Sequence, residues 1–146
     1  MVGVDVDRAA LDEAAALGIE PVWADATEPL PFEGESFDVV VLGELLEHLF
    51  LPHLTVDEAR RVLRPGGRLV GSVPNAYRVK RRLMFLIGRP PESDPTHLHL
   101  FSPGSLRSLL RDFDQVQLRF VAGRLTRPHP RLFANDMCFN ARKLPR

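Results

Sequence analysis

The chain has a single cysteine, Cys138, among its 146 residues. It therefore forms no internal disulfide, which excludes a disulfide-stabilised scaffold. It also lacks an uninterrupted apolar stretch long enough to span a membrane, and its first residues lack the basic, apolar and small-residue pattern of a secretion signal. From these absences we expect a protein of a reducing, cytoplasmic compartment.

Neither sign of charge predominates, because 19 Lys and Arg residues balance 19 Asp and Glu residues. Proteins that bind nucleic acid generally carry an excess of basic residues, so we expect no nucleic-acid partner. The chain also has no internal repeat. Its length indicates one domain over residues 1–146, large enough for a core but short for a complete two-layer α/β enzyme, so we interpret it as a partial domain.

Short apolar runs alternate with helical patterns in the first part of the chain. Strands are predicted over 1–6, 21–24 and 37–42, and a helix capped by Asp7 and ended by Gly18 separates the first two. The run 37–42 lacks the polar alternation of a half-exposed strand, which predicts a central strand covered on both faces. This order of elements indicates a parallel α/β sheet.

A second helix and another strand are predicted in the middle of the chain. Thr55 with Glu58 three residues later is typical of a capping box at the start of a helix. The residues Pro65-Gly66-Gly67 are predicted to end that helix, and 68–73 has the pattern of the next strand.

The last part of the chain combines helices with two late strands. Residues 76–87 predict a basic amphipathic helix, and Ser102 before a proline predicts the start of another. Strands are predicted over about 116–121 and 133–142. Because no helical pattern separates them, we expect these two strands to pair as antiparallel neighbours.

Four pieces of sequence occur in an order and at a spacing that fit a known family. They are Gly3-Val4-Asp5, Asp25-Ala26 followed by Leu30-Pro31-Phe32, Phe37-Asp38-Val39-Val40 leading to Glu47-His48, and Leu63-Arg64-Pro65-Gly66-Gly67-Arg68-Leu69. Together they resemble the class I S-adenosylmethionine-dependent methyltransferases. The resemblance implies an α/β, Rossmann-like sheet, mostly parallel with an antiparallel pair of C-terminal strands. That pair distinguishes it from a dinucleotide-binding dehydrogenase.

One part of the family pattern is missing. The family's first strand and glycine-rich loop should lie before Met1, and the glycine pair Gly66-Gly67 belongs to a later turn. Three interpretations stay open: a start upstream of this Met, a degenerate remnant, or a partner that supplies the missing layer. We therefore expect a sheet without its first strand and loop, and weak or absent cofactor binding. We also expect an exposed sheet edge at which a homo-oligomer could form.

The resemblance implies S-adenosylmethionine as the cofactor and assigns residues to it. Asp5 resembles the acid that accepts hydrogen bonds from the ribose hydroxyls, and the alternative role is a turn acid or helix cap. Asp25 resembles the acid that accepts from the adenine amino group, and the alternative is an Asx turn at the strand end. The predicted cofactor-binding residues are Asp5, Val6, Asp25, Ala26, Leu42 and Gly43.

Acids and a histidine follow the strand at 37–42. His48 is predicted as the catalytic residue, a general base on an acceptor hydroxyl. The pattern Glu44-x-x-Glu47-His48 also resembles the divalent-metal motif of the ubiquinone-pathway O-methyltransferases and the small-RNA 2′-O-methyltransferases. In those families a further histidine follows, for which His97 fits better than His99.

The metal ligands implied by that resemblance are Glu44, Glu47, His48 and His97, and the ion is Mg²⁺, Mn²⁺ or Zn²⁺. The alternative is a site without a metal, in which the acids stabilise a helix N-terminus and His97 is a loop hydrogen-bonder.

Residues 76–101 lie where the family often inserts a substrate lid. The basic part, 76–87, could attract an anionic substrate or make a peripheral membrane contact, and a solvated basic face is the alternative. We expect methyl transfer to an oxygen of a small-molecule or lipid-like acceptor. The alternative function is a non-catalytic remnant of the fold that acts as a binding module.

Overall fold

Six strands and five α-helices occur in residues 1–90, 94–121 and 129–145, the ranges that a computed structural model of the chain describes. The strands are β1 (Val2–Asp5), β2 (Glu20–Trp23), β3 (Phe37–Gly43), β4 (Leu63–Pro74), β5 (Asp114–Val121) and β6 (Asp136–Arg142). The helices are α1 (Arg8–Ala16), α2 (Pro52–Val62), α3 (Val79–Leu86), α4 (Pro103–Leu109) and α5 (Pro130–Phe133), and a 3-10 turn (Leu46–His48) follows β3.

The strands form two sheets. In the smaller sheet β1 and β2 are parallel, with Asp5 opposite Trp23. The larger sheet has the order β3-β4-β6-β5, in which β3 and β4 are parallel and β6 is antiparallel to both of its neighbours. The predicted α/β architecture, with parallel strands followed by an antiparallel C-terminal pair, is confirmed.

The prediction that the strand at 37–42 is central and covered on both faces is wrong for this structure. β3 is an edge strand of its sheet, with β4 as its partner. The side chains of Val39 and Val41 are 50% and 69% exposed. The sequence of β3 is apolar enough for a buried strand, but no described segment pairs with its second edge.

An apolar cleft of about 660 Å³ separates the two sheets. Residues 1–4 border it on one side, residues 39–42 on the other, and Ala59 and Val62 of α2 contribute to its wall. The split in the sheet agrees with the expectation that a strand is missing at this place. Two strands therefore border the cleft without a pairing partner there among the residues described.

The hydrophobic core lies in the larger sheet and the helices that cover it. Leu69 of β4, Phe139 of β6 and Leu106 of α4 are at most 1% exposed and belong to one cluster. Ser102 caps α4 as predicted, because its Oγ accepts from the Ser105 N–H and the Ser105 hydroxyl accepts from the Ser102 N–H.

Helix α2 begins at Pro52, so the prediction of a capping box at Thr55 is wrong. The Thr55 hydroxyl donates to the Ala26 carbonyl at 2.8 Å, and the Glu58 carboxylate accepts from the Leu30 N–H at 2.7 Å. Both side chains therefore tie the helix to the loop before β3. Proline at the first helical position needs no donor, which explains the earlier start.

Other boundaries also differ. Helix α2 ends at Val62, before the predicted stop at residues 65–67, and α3 is shorter than the predicted 76–87. The late strands begin at Asp114 and Asp136. The short helix α5 occupies the start of the strand predicted at 133–142, because Pro130 suits the first turn of a helix.

The β1–α1–β2 segment was predicted closely. Asp7 caps α1 by accepting from the Ala9 N–H at 2.9 Å, and Gly18, with φ of +79°, follows the helix end. Leu11 is the buried residue of this helix. None of the helices in the described ranges is long and apolar enough to cross a membrane.

The proposed lid, residues 76–101, contains α3 and returns toward the 3-10 turn. Residues 91–93 of it lie outside the described residues. The carbonyl of Glu47 accepts hydrogen bonds from the Leu98 and His99 N–H groups at 2.8 and 3.1 Å. The end of the segment is thus attached directly beside the predicted site, and its role as a lid stays a prediction.

Candidate active site

The predicted site residues lie where the parallel strands end. β1 ends at Asp5, β2 ends two residues before Asp25, and β3 ends at Gly43. Open parallel sheets bind ligands at the carboxyl ends of their strands. Because Asp5 is opposite Trp23 in the register, the two acids share one edge of the smaller sheet.

Asp5 is exposed and takes part in the turn that leads to α1. Its Oδ1 accepts from the Asp7 N–H at 2.8 Å, and its Oδ2 has no protein donor in the described part of the chain. The next carbonyl, of Val6, accepts from the indole N–H of Trp23 at 2.9 Å. The turn role is therefore present, and one carboxylate oxygen remains available for a ligand.

Asp25 forms the Asx turn that was the alternative to cofactor binding. Its Oδ1 accepts from the Thr27 N–H at 2.8 Å and from the Thr27 hydroxyl at 2.7 Å. These two hydrogen bonds lower the pKa of Asp25, so its carboxylate is ionised at neutral pH. The adjacent Ala26 lines the cleft. The cofactor roles of both acids stay predictions.

The end of β3 opens into space. Leu42 is buried in the core, whereas a Cβ placed on Gly43 would meet no atom within 4 Å. Glu44 follows with a left-handed φ of 48°, and its N–H donates to the Ser72 carbonyl at 3.1 Å. Residues other than glycine rarely adopt this conformation, and such strain is concentrated at functional sites.

Three of the four predicted metal ligands come together. One potential ligand atom from each of Glu47, His48 and His97 lies within 4.8 Å of the others. His48 Nε2 is 4.0 Å from Glu47 Oε1, and the two imidazole rings meet edge to face with centroids 4.7 Å apart. Glu44 is exposed and does not belong to this group.

The histidines are oriented by the segment that ends the proposed lid. His48 Nδ1 lies 3.2 Å from the Thr96 carbonyl, so a proton on Nδ1 would leave the lone pair on Nε2. Asp94 accepts from the Thr96 N–H and hydroxyl, and its Oδ2 is 3.7 Å from His97 Nε2. Asp94 and Thr96 were not predicted as site residues, although Asp-x-Thr is typical of an Asx turn.

His99 is attached elsewhere. Its Nε2 lies 3.3 Å from the Phe50 carbonyl, and its ring packs beside Phe101. His99 is therefore not in the group formed by Glu47, His48 and His97, and the choice of His97 as a metal ligand stays a prediction.

Glu47 is unusual in this group because an acidic side chain is fully buried. Its side chain is fully buried, and neither carboxylate oxygen has a hydrogen-bond partner in the described residues. Burial is the largest effect and raises the pKa of Glu47, and the Glu44 carboxylate adds to the rise. The backbone N–H of Glu47 itself and the nearby His48 and His97 act in the opposite direction. An ionised carboxylate in such a place is costly, and a cation beside it would remove that cost.

The donor set fits a divalent cation. One carboxylate and two imidazoles suit Mn²⁺ or Zn²⁺ better than Mg²⁺, which prefers oxygen ligands. A ring held by a neighbouring carboxylate, as His97 is beside Asp94, is common around bound metals.

Residues 1–71 match a family model described as a methyltransferase domain. This part of the chain is similar to that family of methyltransferase domains. Over 114 residues, 77% of the chain, it is 34% identical to a protein of Mycobacterium tuberculosis named as a probable S-adenosylmethionine-dependent methyltransferase. Over 52 residues, 36% of the chain, it is 48% identical to the demethylmenaquinone methyltransferase of Clavibacter sepedonicus. The chain spans 39% and 21% of the lengths of these two relatives.

The fold of the chain is also found in solved structures. The crystal structure of a SAM-dependent methyltransferase from Thermotoga maritima superposes with a TM-score of 0.78 at 19% sequence identity. The superposition covers 97% of this chain and 72% of that one. At this identity the likeness establishes the fold alone, and it confirms the Rossmann-like methyltransferase sheet inferred from the four sequence pieces.

Proposed function

We propose that the chain is the catalytic part of a methyltransferase that transfers a methyl group from S-adenosylmethionine to an oxygen of a small, lipid-like acceptor. The observation that carries this proposal is the group formed by Glu47, His48 and His97 at the end of β3. A hydroxyl must lose its proton to become a good nucleophile, and this group offers both a base and ligands for a cation.

His48 is proposed to receive the acceptor proton. Its side chain is 36% exposed, so an acceptor can reach it, and the contact of Nδ1 with Thr96 directs Nε2 toward the site. An imidazole titrates near neutral pH, which suits a general base. Glu47 lies 4.0 Å away and would stabilise the imidazolium that forms.

The alternative role of the same group is to hold a divalent cation through Glu47, His48 and His97, with Asp94 orienting His97. In that case His48 Nε2 is a ligand and does not serve as the base. When bound, such a cation lowers the pKa of an acceptor hydroxyl. The buried Glu47 carboxylate, which has no hydrogen-bond partner in the described residues, supports this assignment. Glu44 is left out of the proposed set because it is exposed and lies outside the group.

S-adenosylmethionine is proposed to bind across the ends of β1, β2 and β3, where it supplies an activated methyl group. Asp5 and Asp25 each keep one carboxylate oxygen for its polar groups, and the space beside Gly43 admits a ligand close to the backbone. The protein's contribution is to hold donor and acceptor in line.

The cleft between β1 and β3 is proposed to receive a strand in the active enzyme. Both bordering strands are apolar there and have no second partner in the part described, which supports strand addition. A second copy of the chain, or another segment with a glycine-rich loop, could supply it.

A lipid-like acceptor is supported by one comparison. The Clavibacter relative, whose match covers 36% of this chain, is named for demethylmenaquinone. Product analysis with a quinol acceptor would decide between an oxygen and a carbon as the methylated atom.

Cofactor binding is tested by titrating S-adenosylhomocysteine calorimetrically into the chain and into a version with an added N-terminal apolar strand and glycine-rich loop. We expect binding by the extended version, weakened by Asp25→Asn and unchanged by Asp57→Asn on the exposed part of α2. Binding by neither version would favour the alternative, a non-catalytic binding module.

The cation site is tested separately with Mn²⁺. Glu47→Gln should weaken Mn²⁺ binding by more than about tenfold, measured by electron paramagnetic resonance of the unbound ion, because it removes a ligand. Glu44→Gln should change it little, since Glu44 lies outside the group. An equal loss of Mn²⁺ affinity in both variants would mean that Glu44 is also a ligand, as the sequence predicts. No loss of affinity in either variant would exclude the site.

A further inference from the structure

Helix α3 has no buried residue, although five of its eight residues are apolar. Leu83, Phe85 and Leu86 are 56%, 71% and 76% exposed, and Ile87 after the helix is 69% exposed. A helix on a small domain normally buries its apolar face against the core. Neighbouring large apolar side chains that remain exposed indicate a surface that binds something else.

A second pair of exposed apolar residues lies at the same edge of the larger sheet. Phe50 and Leu51, before α2, are 82% and 51% exposed. They follow the carboxyl end of β3, while α3 follows the carboxyl end of β4, its parallel neighbour. We call these six residues, Leu83, Phe85, Leu86, Ile87, Phe50 and Leu51, the apolar rim.

The segment that carries most of this rim is strongly basic. Residues 76–90 contain five Lys and Arg residues and no acid, in a chain whose formal net charge is zero. Lys80 and Arg89 are exposed at either end of the four apolar residues on α3 and after it. Apolar side chains flanked by exposed cations are typical of a surface that lies on an anionic bilayer.

Some of the basic residues have contacts within the protein. Arg78 donates to the Asn135 side chain, and Arg82 donates to the Tyr77 carbonyl at 2.8 Å with its guanidinium 5.9 Å from that ring. Arg78 thus fixes the position of the segment, and the exposed Arg82 keeps its charge at the surface.

The alternatives fit the charge less well. A symmetric dimer through this surface would bring the basic segment of one copy against the same segment of the other, which is repulsive. We propose that the apolar rim and the exposed cations of 76–90 form a membrane-docking surface for a bilayer with anionic headgroups. This inference does not depend on the proposed catalytic roles. Docking through this surface would bring the carboxyl ends of β3 and β4, where the candidate active site lies, next to acceptors dissolved in the bilayer.

The experiment is co-sedimentation of the protein with vesicles of phosphatidylcholine, with and without phosphatidylglycerol. We expect sedimentation with the anionic vesicles only, reduced by added salt. The double variant Phe85→Ser/Leu86→Ser should lower the partition coefficient more than about tenfold. The variant Lys80→Glu/Arg89→Glu should lower it by a similar factor. Neither should alter the circular dichroism, because all four substituted side chains are exposed.

The matched control is Leu17→Ser. Leu17 is 81% exposed but lies before β2, at the amino end of that strand, and its replacement should leave sedimentation unchanged. A spectroscopic version uses the single tryptophan of the chain. With Trp23→Phe as background, a tryptophan introduced by Phe85→Trp should be quenched by brominated lipids, whereas one introduced by Leu17→Trp should not.

Three results would overturn the proposal. Sedimentation would fail with both kinds of vesicle, or occur equally with both. The third result is self-association in the absence of lipid that Phe85→Ser/Leu86→Ser abolishes, which would assign the surface to contacts between copies.

Discussion

The two sheets of the molecule are held together differently. The larger sheet packs against α2 and α4 around a core in which Leu69, Leu106 and Phe139 are almost completely buried. The smaller sheet has two strands and one helix, and Leu11 is the buried residue of that helix. A two-stranded sheet is marginally stable by itself, so the smaller sheet depends on what anchors it.

The anchor is a set of polar contacts from α2. Thr55 and Glu58 bond the backbone of Ala26 and Leu30, and Arg61 donates to the Phe32 carbonyl at 2.8 Å. The apolar cleft lies beside these contacts. The smaller sheet thus joins the core through hydrogen bonds and a loop more than through close packing.

This difference separates the two halves of the proposed site. The group at Glu47, His48 and His97 is built on the well-packed sheet, and its side chains are oriented by neighbouring backbone. The predicted cofactor acids, Asp5 and Asp25, are carried by the weakly anchored sheet. We therefore expect cation binding to survive conditions that abolish cofactor binding.

The largest effect is expected in the packed sheet, at Gly71. A Cβ there would overlap the Leu42 carbonyl oxygen and the Phe139 ring, so Gly71→Ala should lower the free energy of unfolding by about 3 kcal/mol. Urea denaturation measures this. Gly43→Ala, one position along the adjacent strand, should be nearly neutral because nothing lies within 4 Å. Equal losses would contradict the packing described.

A smaller, local effect is expected in the other sheet. Leu11→Ala should destabilise the β1–α1–β2 segment by about 2 kcal/mol, because it removes the buried side chain of α1. Hydrogen exchange should speed up at β1 and β2 while β4 and β6 keep their protection. Leu17→Ala, at an exposed position, is the control. Loss of protection in β4 would indicate one cooperative unit instead.

The smallest effect on stability is expected at Glu58, one of the α2 residues that anchor the smaller sheet, and it depends on pH. The Arg61 hydrogen bonds lower the pKa of Glu58. Because the pKa is lowered, the ionised carboxylate stabilises the folded state at neutral pH. This stabilisation is lost as the pH falls through the folded-state pKa. Glu58→Gln should therefore cost about 1 kcal/mol at neutral pH.

The cost of Glu58→Gln should disappear at low pH, once the pH has fallen through the lowered folded-state pKa and the wild-type carboxylate is protonated. Thermal unfolding of both proteins across this range measures it, with Glu13→Gln on the exposed face of α1 as the control. A difference that persists at low pH would show that shape, not charge, matters at this position.

Much of the fold could be predicted because local signals were strong. Asp7, Gly18 and Ser102 mark helix ends through their own backbone chemistry, and they do so in the structure. The prediction of a capping box at Thr55 and Glu58 was wrong because the same residue types also form long-range hydrogen bonds. Here they bond the backbone of Ala26 and Leu30. The edge position of β3 could not be predicted from its own residues, since burial depends on which strands are present beside it.

The site could be predicted in part for a similar reason. Glu47 and His48 are adjacent in sequence, so one motif identifies both, and the family resemblance supplied His97. The burial of Glu47 and the part played by Asp94 depend on how the segment 94–99 folds back, which no local pattern encodes. Glu44 is exposed and has a left-handed backbone conformation. The sequence motif does not predict that conformation.

Asn75 holds the start of the segment that carries α3. Its side-chain amide donates to the carbonyls of Arg131 and Ala134, and its Oδ1 accepts from the Tyr77 N–H. Beyond this point α3 contributes nothing to the core. Substitutions along the helix are thus released from the constraint of folding. The surface that this helix presents to its surroundings can therefore change in sequence while the packing of the larger sheet stays the same.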